Sequence, residues 1–185
     1  MGTAQVIVKM DKMGNGKEIR VNRLGECTEF DLKAFTQTNF RHMCILSGCD
    51  YVSNVAGIGM MKAHKLVQRH RDPGKIFKAL KLDSSVDFPP NYPEYFRRAD
   101  LTFQHQRVYD PVSKTVVPLQ PFPAQIDGDS LDFIGPPIDP VDAVLICTGQ
   151  VDPLTRVSFE DISSTSTVVL LLLLTPILSF AEFLY

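Results

Sequence analysis

One stretch, residues 46–67, constrains the chain most, because it combines an isolated acid, a two-glycine turn and a basic helix. Gly57 and Gly59 flank Ile58, and glycines at this spacing allow a sharp turn and a close approach of the backbone to a ligand. A helix is predicted to begin at about Met60. Its free N–H groups and the positive end of its dipole would face the turn, which therefore favours an anion.

The predicted helix has two different faces, since successive residues turn by about 100° around its axis. Lys62, Lys65 and Arg69 fall on one edge. The apolar residues fall on a separate arc, at Met60, Ala63 and Val67. This pattern is that of a clamp that holds a nucleic-acid backbone without reading its sequence. The alternative is an ordinary solvated helix face.

The charge distribution agrees with a local polyanion site. The formal net charge is only −2, but residues 60–81 contain seven Lys or Arg and one acid, whereas residues 126–161 contain eight acids and one Arg. A basic segment inside a mildly acidic protein indicates one binding region and not a generally basic surface. The four cysteines form no CxxC pair and no zinc-type Cys/His set, which is typical of a reduced intracellular protein.

Local patterns predict a mostly helical chain with a β-hairpin. Strands are expected at residues 5–10 and 18–21 around a Gly-Asn-Gly turn, and a strand–turn–strand at 108–118. Helices are expected at 36–46, from 60, at 75–82, at 94–108 and at 142–149, with 88–93 irregular. Thr36 or Thr38 would cap the first helix, and Gly48 would end it. The residues expected to face the core are Phe40, Met43, Cys44, Ile45, Phe96, Leu101 and Phe103.

The segment from 163 to 185 differs from everything before it. It contains five consecutive leucines and one acid, and no Lys or Arg flanks it. Its apolar run, 168–185, is short of the ~20 residues that a bilayer requires, and Pro176 and Glu182 interrupt it. A membrane anchor is therefore the less favoured reading, and an unrelated terminus the preferred one.

Three sequence words, in order, resemble the flap endonuclease family of structure-specific 5′ nucleases, and most closely its mismatch-repair branch. They are VIVKMDKMGNGKEI at 6–19, FRHMCILSGCDY at 40–51 and FQHQRVYDPVSKTVVPL at 103–119. GIGxxKA at 57–63 matches the helix-two-turn-helix of that family. The resemblance runs from about residue 4 to 162. It implies an α/β parent fold with a PIN-like core, in which 1–35 is an edge hairpin and linker, 36–110 the DNA-binding region and 111–162 a C-terminal support.

The resemblance also implies a metal site and a nuclear DNA enzyme. Asp50 matches one family carboxylate that holds a pair of catalytic Mg²⁺ ions; the alternative is that Asp50 caps the next turn. The other family carboxylates precede the position of Met1, so we expect the chain alone to be inactive. Positions Ser47, Asn54 and Ile58 match oxygens that hold a monovalent cation, usually K⁺, although a hydroxyl residue is more common than Asn at the middle position. The alternative is a turn with a structural role only.

Three function classes follow from these observations. The first is part of a Mg²⁺-dependent 5′→3′ exonuclease and flap endonuclease, which acts on double-stranded DNA with 5′ ends, nicks or flaps together with mismatch-repair proteins. The DNA contacts would come from Gly57, Ile58, Gly59, Lys62, Lys65 and Arg69. The second is an inactive DNA-binding fragment, and the third is a membrane-anchored protein. Nothing in the sequence predicts a small-molecule substrate.

Overall fold

The computed structural model describes residues 5–128 and 131–159, which form five α-helices and four short strands. In chain order these elements are β1 (Gln5–Val8), β2 (Lys17–Arg20), α1 (Gln37–Ser47), α2 (Met60–His70), α3 (Pro73–Leu82), α4 (Tyr92–His105), β3 (Arg107–Asp110), β4 (Thr115–Pro118) and α5 (Pro140–Cys147). Two 3₁₀ helices, Val21–Glu26 and Asp132–Ile134, lie between them. The described residues thus mix α-helices with two small antiparallel hairpins, which is compatible with a fragment of the predicted α/β fold.

These residues divide into two compact units, and the boundary lies within α4. The first unit comprises 5–97 and contains β1, β2, α1, α2, α3 and the start of α4. The second comprises 98–159 and contains the rest of α4, β3, β4 and α5. All of the predicted DNA and metal residues belong to the first unit.

The first unit begins with the predicted hairpin. β1 and β2 pair antiparallel, from Gln5 opposite Arg20 to Val8 opposite Lys17. β1 is therefore two residues shorter than predicted, and β2 begins and ends one residue earlier than predicted. The Asp11 carboxylate closes the turn by accepting hydrogen bonds from backbone N–H groups. The hairpin buries Val8 on one face.

Helix α1 begins and ends as predicted. The Thr36 hydroxyl accepts from the Asn39 N–H at 3.1 Å, and the Asn39 side chain accepts from the Thr36 N–H, which is a capping box. Gly48 follows the last turn with φ of +103°, a conformation that L side chains rarely adopt. Met43, Cys44 and Ile45 are buried as predicted. Phe40 is only half-buried, and the buried neighbours on this helix are Asn39, His42 and Leu46.

Helix α2 packs against α1 and against the preceding segment. Ala63 and Val67 are fully buried, which confirms the predicted apolar arc for these two positions, while Met60 is half-buried. His64 stacks on Phe35 with ring centroids 5.1 Å apart, and its Nε2 lies 3.0 Å from the Asp31 carbonyl oxygen. The module of α1 and α2 is therefore held by side chains on the face of α2 away from its lysines.

The start of α4 corrects one prediction. Residues 88–93 were predicted to be irregular, but Tyr92 and Pro93 belong to α4. The reason is that a proline in the first turn of a helix removes an N–H that has no partner there. Tyr92 and Phe96 are buried against α3 in an aromatic cluster. The rings of this cluster are Phe77, Phe88, Tyr92 and Phe96.

In the second unit, α4 ends at His105, three residues earlier than predicted, because Arg107 already belongs to β3. His105 Nδ1 lies 2.9 Å from the Gln120 carbonyl oxygen, next to this boundary. β3 and β4 form the predicted strand–turn–strand. α5 begins at Pro140, two residues earlier than predicted, with Asp139 as its cap. Of the predicted inward residues of this unit, Leu101 is buried and Phe103 is half-buried.

The membrane prediction concerns residues 163–185, which lie outside the described part of the chain. Among the described residues, no helix is long and apolar enough to cross a bilayer.

Candidate nucleic-acid interface

The end of α1 presents Asp50 on a two-residue turn. The backbones of Cys49 and Val52 exchange hydrogen bonds of 3.0 and 3.2 Å, which places Asp50 and Tyr51 at the tip. Both tip residues are exposed. Burial, with the nearby Asp50 carboxylate as a second cause, raises the pKa of the Tyr51 hydroxyl.

Cys49 and Asp50 stand next to each other at this turn but in different surroundings, since Cys49 is half-buried and Asp50 is exposed. Burial raises the pKa of Cys49, while hydrogen bonds from the N–H groups of Tyr51 and Val52 oppose that rise. Asp50 makes no hydrogen bond or ion pair within residues 5–128 and 131–159, so the alternative role as a turn cap is not seen. The Asp50 carboxylate is thus available to a ligand from solvent.

The turn between residues 54 and 59 leads directly into α2. Val55 and Ile58 are buried, and the Ile58 N–H donates to the Val55 carbonyl at 2.9 Å. Gly57 has φ of +77°, whereas Gly59 is extended and stands at the N-cap of α2. A Cβ added to either glycine would meet no atom within 4 Å. No side chain caps the helix, so its first N–H groups and the open backbone around them can face an anion.

The three predicted cations lie along one groove between α2 and α3. Lys62, Lys65 and Arg69 line this groove, whose volume is about 280 Å³. Lys65 and Arg69 are exposed and Lys62 is half-buried. The structure therefore brings these three residues together along one side of α2, from the first turn at Lys62 to the last turn at Arg69, which is the arrangement that the helical spacing predicts.

Sequence reasoning missed Asp83, which faces this groove. Its Oδ2 lies 3.5 Å from Lys62 Nζ, and its Oδ1 accepts hydrogen bonds from the hydroxyl and the N–H of Ser85. The Ser85 bonds, more than the lysine, hold the pKa of Asp83 below its usual range. Because Lys62 and Asp83 are 21 residues apart, no local pattern could have predicted the pair.

Of the residues predicted to hold a monovalent cation, Asn54 and Ile58 are in direct contact, and the atoms that meet do not suit an ion. Asn54 Nδ2 donates a hydrogen bond of 3.1 Å to the Ile58 carbonyl, so a donor faces the oxygen that a cation would need. Ser47 Oγ donates to the Cys44 carbonyl at 2.8 Å. Gly48, next to Ser47, packs against Asn54, since an added Cβ would lie 3.3 Å from both its Cβ and its N.

The predicted Mg²⁺ pair is also not matched by the residues present. Among the described residues, no three His, Cys, Asp or Glu side chains form a group that could hold a metal ion. Two Mg²⁺ ions require several converging carboxylates. Asp50 alone can supply one ligand.

Comparison with known proteins identifies relatives of this segment. The chain is 42% identical to exonuclease 1 of Oryza sativa subsp. japonica over 167 residues and 40% identical to exonuclease 1 of Arabidopsis thaliana over 164 residues. It is 37% identical to exodeoxyribonuclease 1 of Schizosaccharomyces pombe over 159 residues. The chain is homologous to a segment of exonuclease 1. A comparison with protein-family models gives no match.

The matches cover most of this chain but little of each relative. They include 90%, 89% and 86% of the chain and only 20%, 22% and 28% of the respective exonuclease proteins. The chain therefore spans between a fifth and somewhat more than a quarter of the length of these relatives. The resemblance drawn from the three sequence words is confirmed, with exonuclease 1 as the related protein.

Proposed function

We propose that this chain contributes to a Mg²⁺-dependent 5′→3′ exonuclease and flap endonuclease that acts on double-stranded DNA. The observation that carries the proposal is the uncapped N-terminus of α2 beside a groove lined by three cations, in a chain homologous to exonuclease 1. Its substrates would be duplexes with 5′ ends, nicks or flaps. The complete protein would work in the nucleus with mismatch-repair proteins and in end processing.

The interface would hold DNA through its phosphates. A phosphate can approach the N–H groups at the start of α2 because Gly57 and Gly59 leave open space around them. Lys65 and Arg69, one and two turns further along, would neutralise neighbouring phosphates of the same backbone. Contacts of this kind fix the position of the duplex and carry no base preference.

The position of Asp50 suits one ligand of a metal pair. It is exposed at the tip of the 49–52 turn, close in sequence to the 54–59 turn where a DNA strand would bind. In a two-metal nuclease the ions activate water and stabilise the leaving oxygen. Asp50 would provide one of the oxygens that position those ions, and the remaining ligands would come from outside the described residues.

The test of this interface is DNA binding as a function of salt. Fluorescence anisotropy with a labelled duplex at several KCl concentrations would be measured for the full chain and for Lys62→Ala/Lys65→Ala. We expect affinity to fall with salt, with a slope of about −0.9 in log–log terms for each phosphate neutralised. The double variant should bind more weakly and with a slope about two units smaller in magnitude.

A matched control is Lys75→Ala/Lys78→Ala, which removes the same charge from exposed positions on α3. We expect this control to retain most of the affinity. If both double variants lost affinity equally, binding would depend on net charge alone and the assigned groove would be wrong. Binding that did not respond to salt would contradict the phosphate contacts themselves.

A second candidate function is DNA binding without cleavage. It is favoured by the surroundings of Asp50, because among the described residues no three His, Cys, Asp or Glu side chains form a group that could hold a metal ion. In that case this chain would bind a duplex through the same groove and would not itself hydrolyse the DNA.

A further inference from the structure

The carbonyl of Ile58 is buried and must have a partner. Ile58 is fully inaccessible, and a buried carbonyl without a donor or a cation costs free energy comparable to a lost hydrogen bond. The partner in this chain is the side chain of Asn54, whose Nδ2 lies 3.1 Å from the carbonyl oxygen. This hydrogen bond links residues four apart in the sequence, on either side of the turn. Within the turn, the Ile58 N–H donates to the Val55 carbonyl at 2.9 Å.

Asn54 is exposed as a residue, but it contacts the chain on two sides. Gly48 approaches it so closely that any Cβ at position 48 would lie 3.3 Å from the Asn54 Cβ and backbone N. Gly48 also has φ of +103°, which favours glycine independently of the available space. The end of α1 and the buried carbonyl thus hold Asn54 from two sides.

We propose that the Asn54 amide takes the role of a monovalent cation at this turn. A serine or threonine hydroxyl is shorter and would leave room for an ion between oxygens, whereas the asparagine carries its own donor to the Ile58 carbonyl. The turn is then closed by atoms of the chain, and its stability does not depend on which monovalent ion is present. This property belongs to the turn itself and holds whether or not the chain binds DNA.

The test is thermal unfolding of the full chain in KCl, NaCl and choline chloride at equal ionic strength and at several concentrations. We expect the same Tm in all three salts at each concentration. Asn54→Ser should have a lower Tm in choline chloride by several degrees, because it leaves the buried carbonyl without its donor. Asn91→Ser makes the same change at another exposed asparagine of the same unit, one that does not contact the Ile58 carbonyl, and should keep the Tm of the wild type.

Two results would overturn the proposal. A saturable rise in the wild-type Tm in KCl, absent in choline chloride, would show that an ion binds and that the amide oxygen, not the nitrogen, faces Ile58. An Asn54→Ser variant as stable as Asn91→Ser in choline chloride would show that the amide does not support the turn. Unfolding of Asn54→Ser in choline chloride while Asn91→Ser stays folded would support the proposal.

Discussion

Two buried side chains of the first unit, Cys44 and Tyr92, have raised pKa values. Burial raises the pKa of the Cys44 thiol from 9.0 to about 12. Burial likewise raises the pKa of the Tyr92 hydroxyl above its ordinary value of 10.0, and that hydroxyl has no hydrogen-bond partner in the described part of the chain. In both cases the neutral form is favoured because ionisation would place a charge away from water.

Stability should therefore fall in alkaline solution. As the pH rises past about 9, the thiol ionises first in the unfolded state, so the free energy of unfolding decreases between pH 9 and about 12. Tyr92→Phe should be at least as stable as the wild type at pH 7, because it removes a buried hydroxyl that makes no hydrogen bond. It should also lose less stability above pH 10, as measured by urea unfolding at a series of pH values.

The control for the hydroxyl is Tyr95→Phe, which removes the same atom from an exposed ring on the same helix. We expect its stability to follow the wild type at every pH. A Tyr92→Phe variant that was less stable at pH 7 would contradict the absence of a partner for that hydroxyl.

At the scale of elements, the two glycines of the 57–59 turn have different reasons to be glycine. Gly57 has φ of +77°, a left-handed conformation that favours glycine over residues with a Cβ. Gly59 is extended, and a Cβ there would contact nothing within 4 Å, so packing places no demand on it. Open space at the N-cap of α2 matters only to a ligand that comes close to the helix.

The difference gives a paired prediction for the turn and the helix. Gly57→Ala should lower the free energy of unfolding by about 1 to 2 kcal/mol, the cost of a left-handed conformation for an L residue. Gly59→Ala should leave stability within about 0.5 kcal/mol of the wild type, as is usual for an exposed substitution without strain. It should nevertheless weaken duplex binding, because the added methyl group stands where a phosphate would approach.

Thermal unfolding and anisotropy on the same samples would distinguish these outcomes. The two variants act as controls for each other, since both add one methyl group to the same turn. Equal binding by Gly59→Ala and the wild type would mean that no phosphate lies against the start of α2.

At the scale of the whole molecule, the Asp50 carboxylate decides whether we expect the chain to cleave DNA. Purified chain of residues 1–185, given Mg²⁺ and a duplex with a recessed 5′ end, should release no nucleotides, because among the described residues Asp50 belongs to no group of three or more His, Cys, Asp or Glu side chains that could hold a metal ion. The measurement is a gel assay of end-labelled DNA with Asp50→Ala as the control. Cleavage by the wild type that disappears in Asp50→Ala would contradict this expectation.

The sequence predicted local features better than contacts between distant residues. Thr36 and Gly48 indicated the ends of α1 because helix caps depend on residues that are neighbours in the sequence. The edge formed by Lys62, Lys65 and Arg69 followed from helical spacing. The start of α4 was misjudged because a proline can equally end one segment or begin the next. Asp83 was missed because its approach to Lys62 depends on how α3 packs against α2.

The PIN-like core and the metal role of Asp50 rested on resemblance and stay predictions. The hydrogen bond from Asn54 to Ile58 could not be predicted either, since the sequence does not tell which end of an amide faces a carbonyl.

Most faces of helix α2 either contact the rest of the chain or belong to the proposed DNA interface. Ala63 and Val67 face the core, His64 holds the preceding segment, and the basic edge lines the groove. Gln68 is exposed, lies away from the N-terminus of the helix and belongs to none of these surfaces. It is consequently the place on this helix where a cysteine-linked fluorophore could be attached with least disturbance, and where sequence drift should be freest.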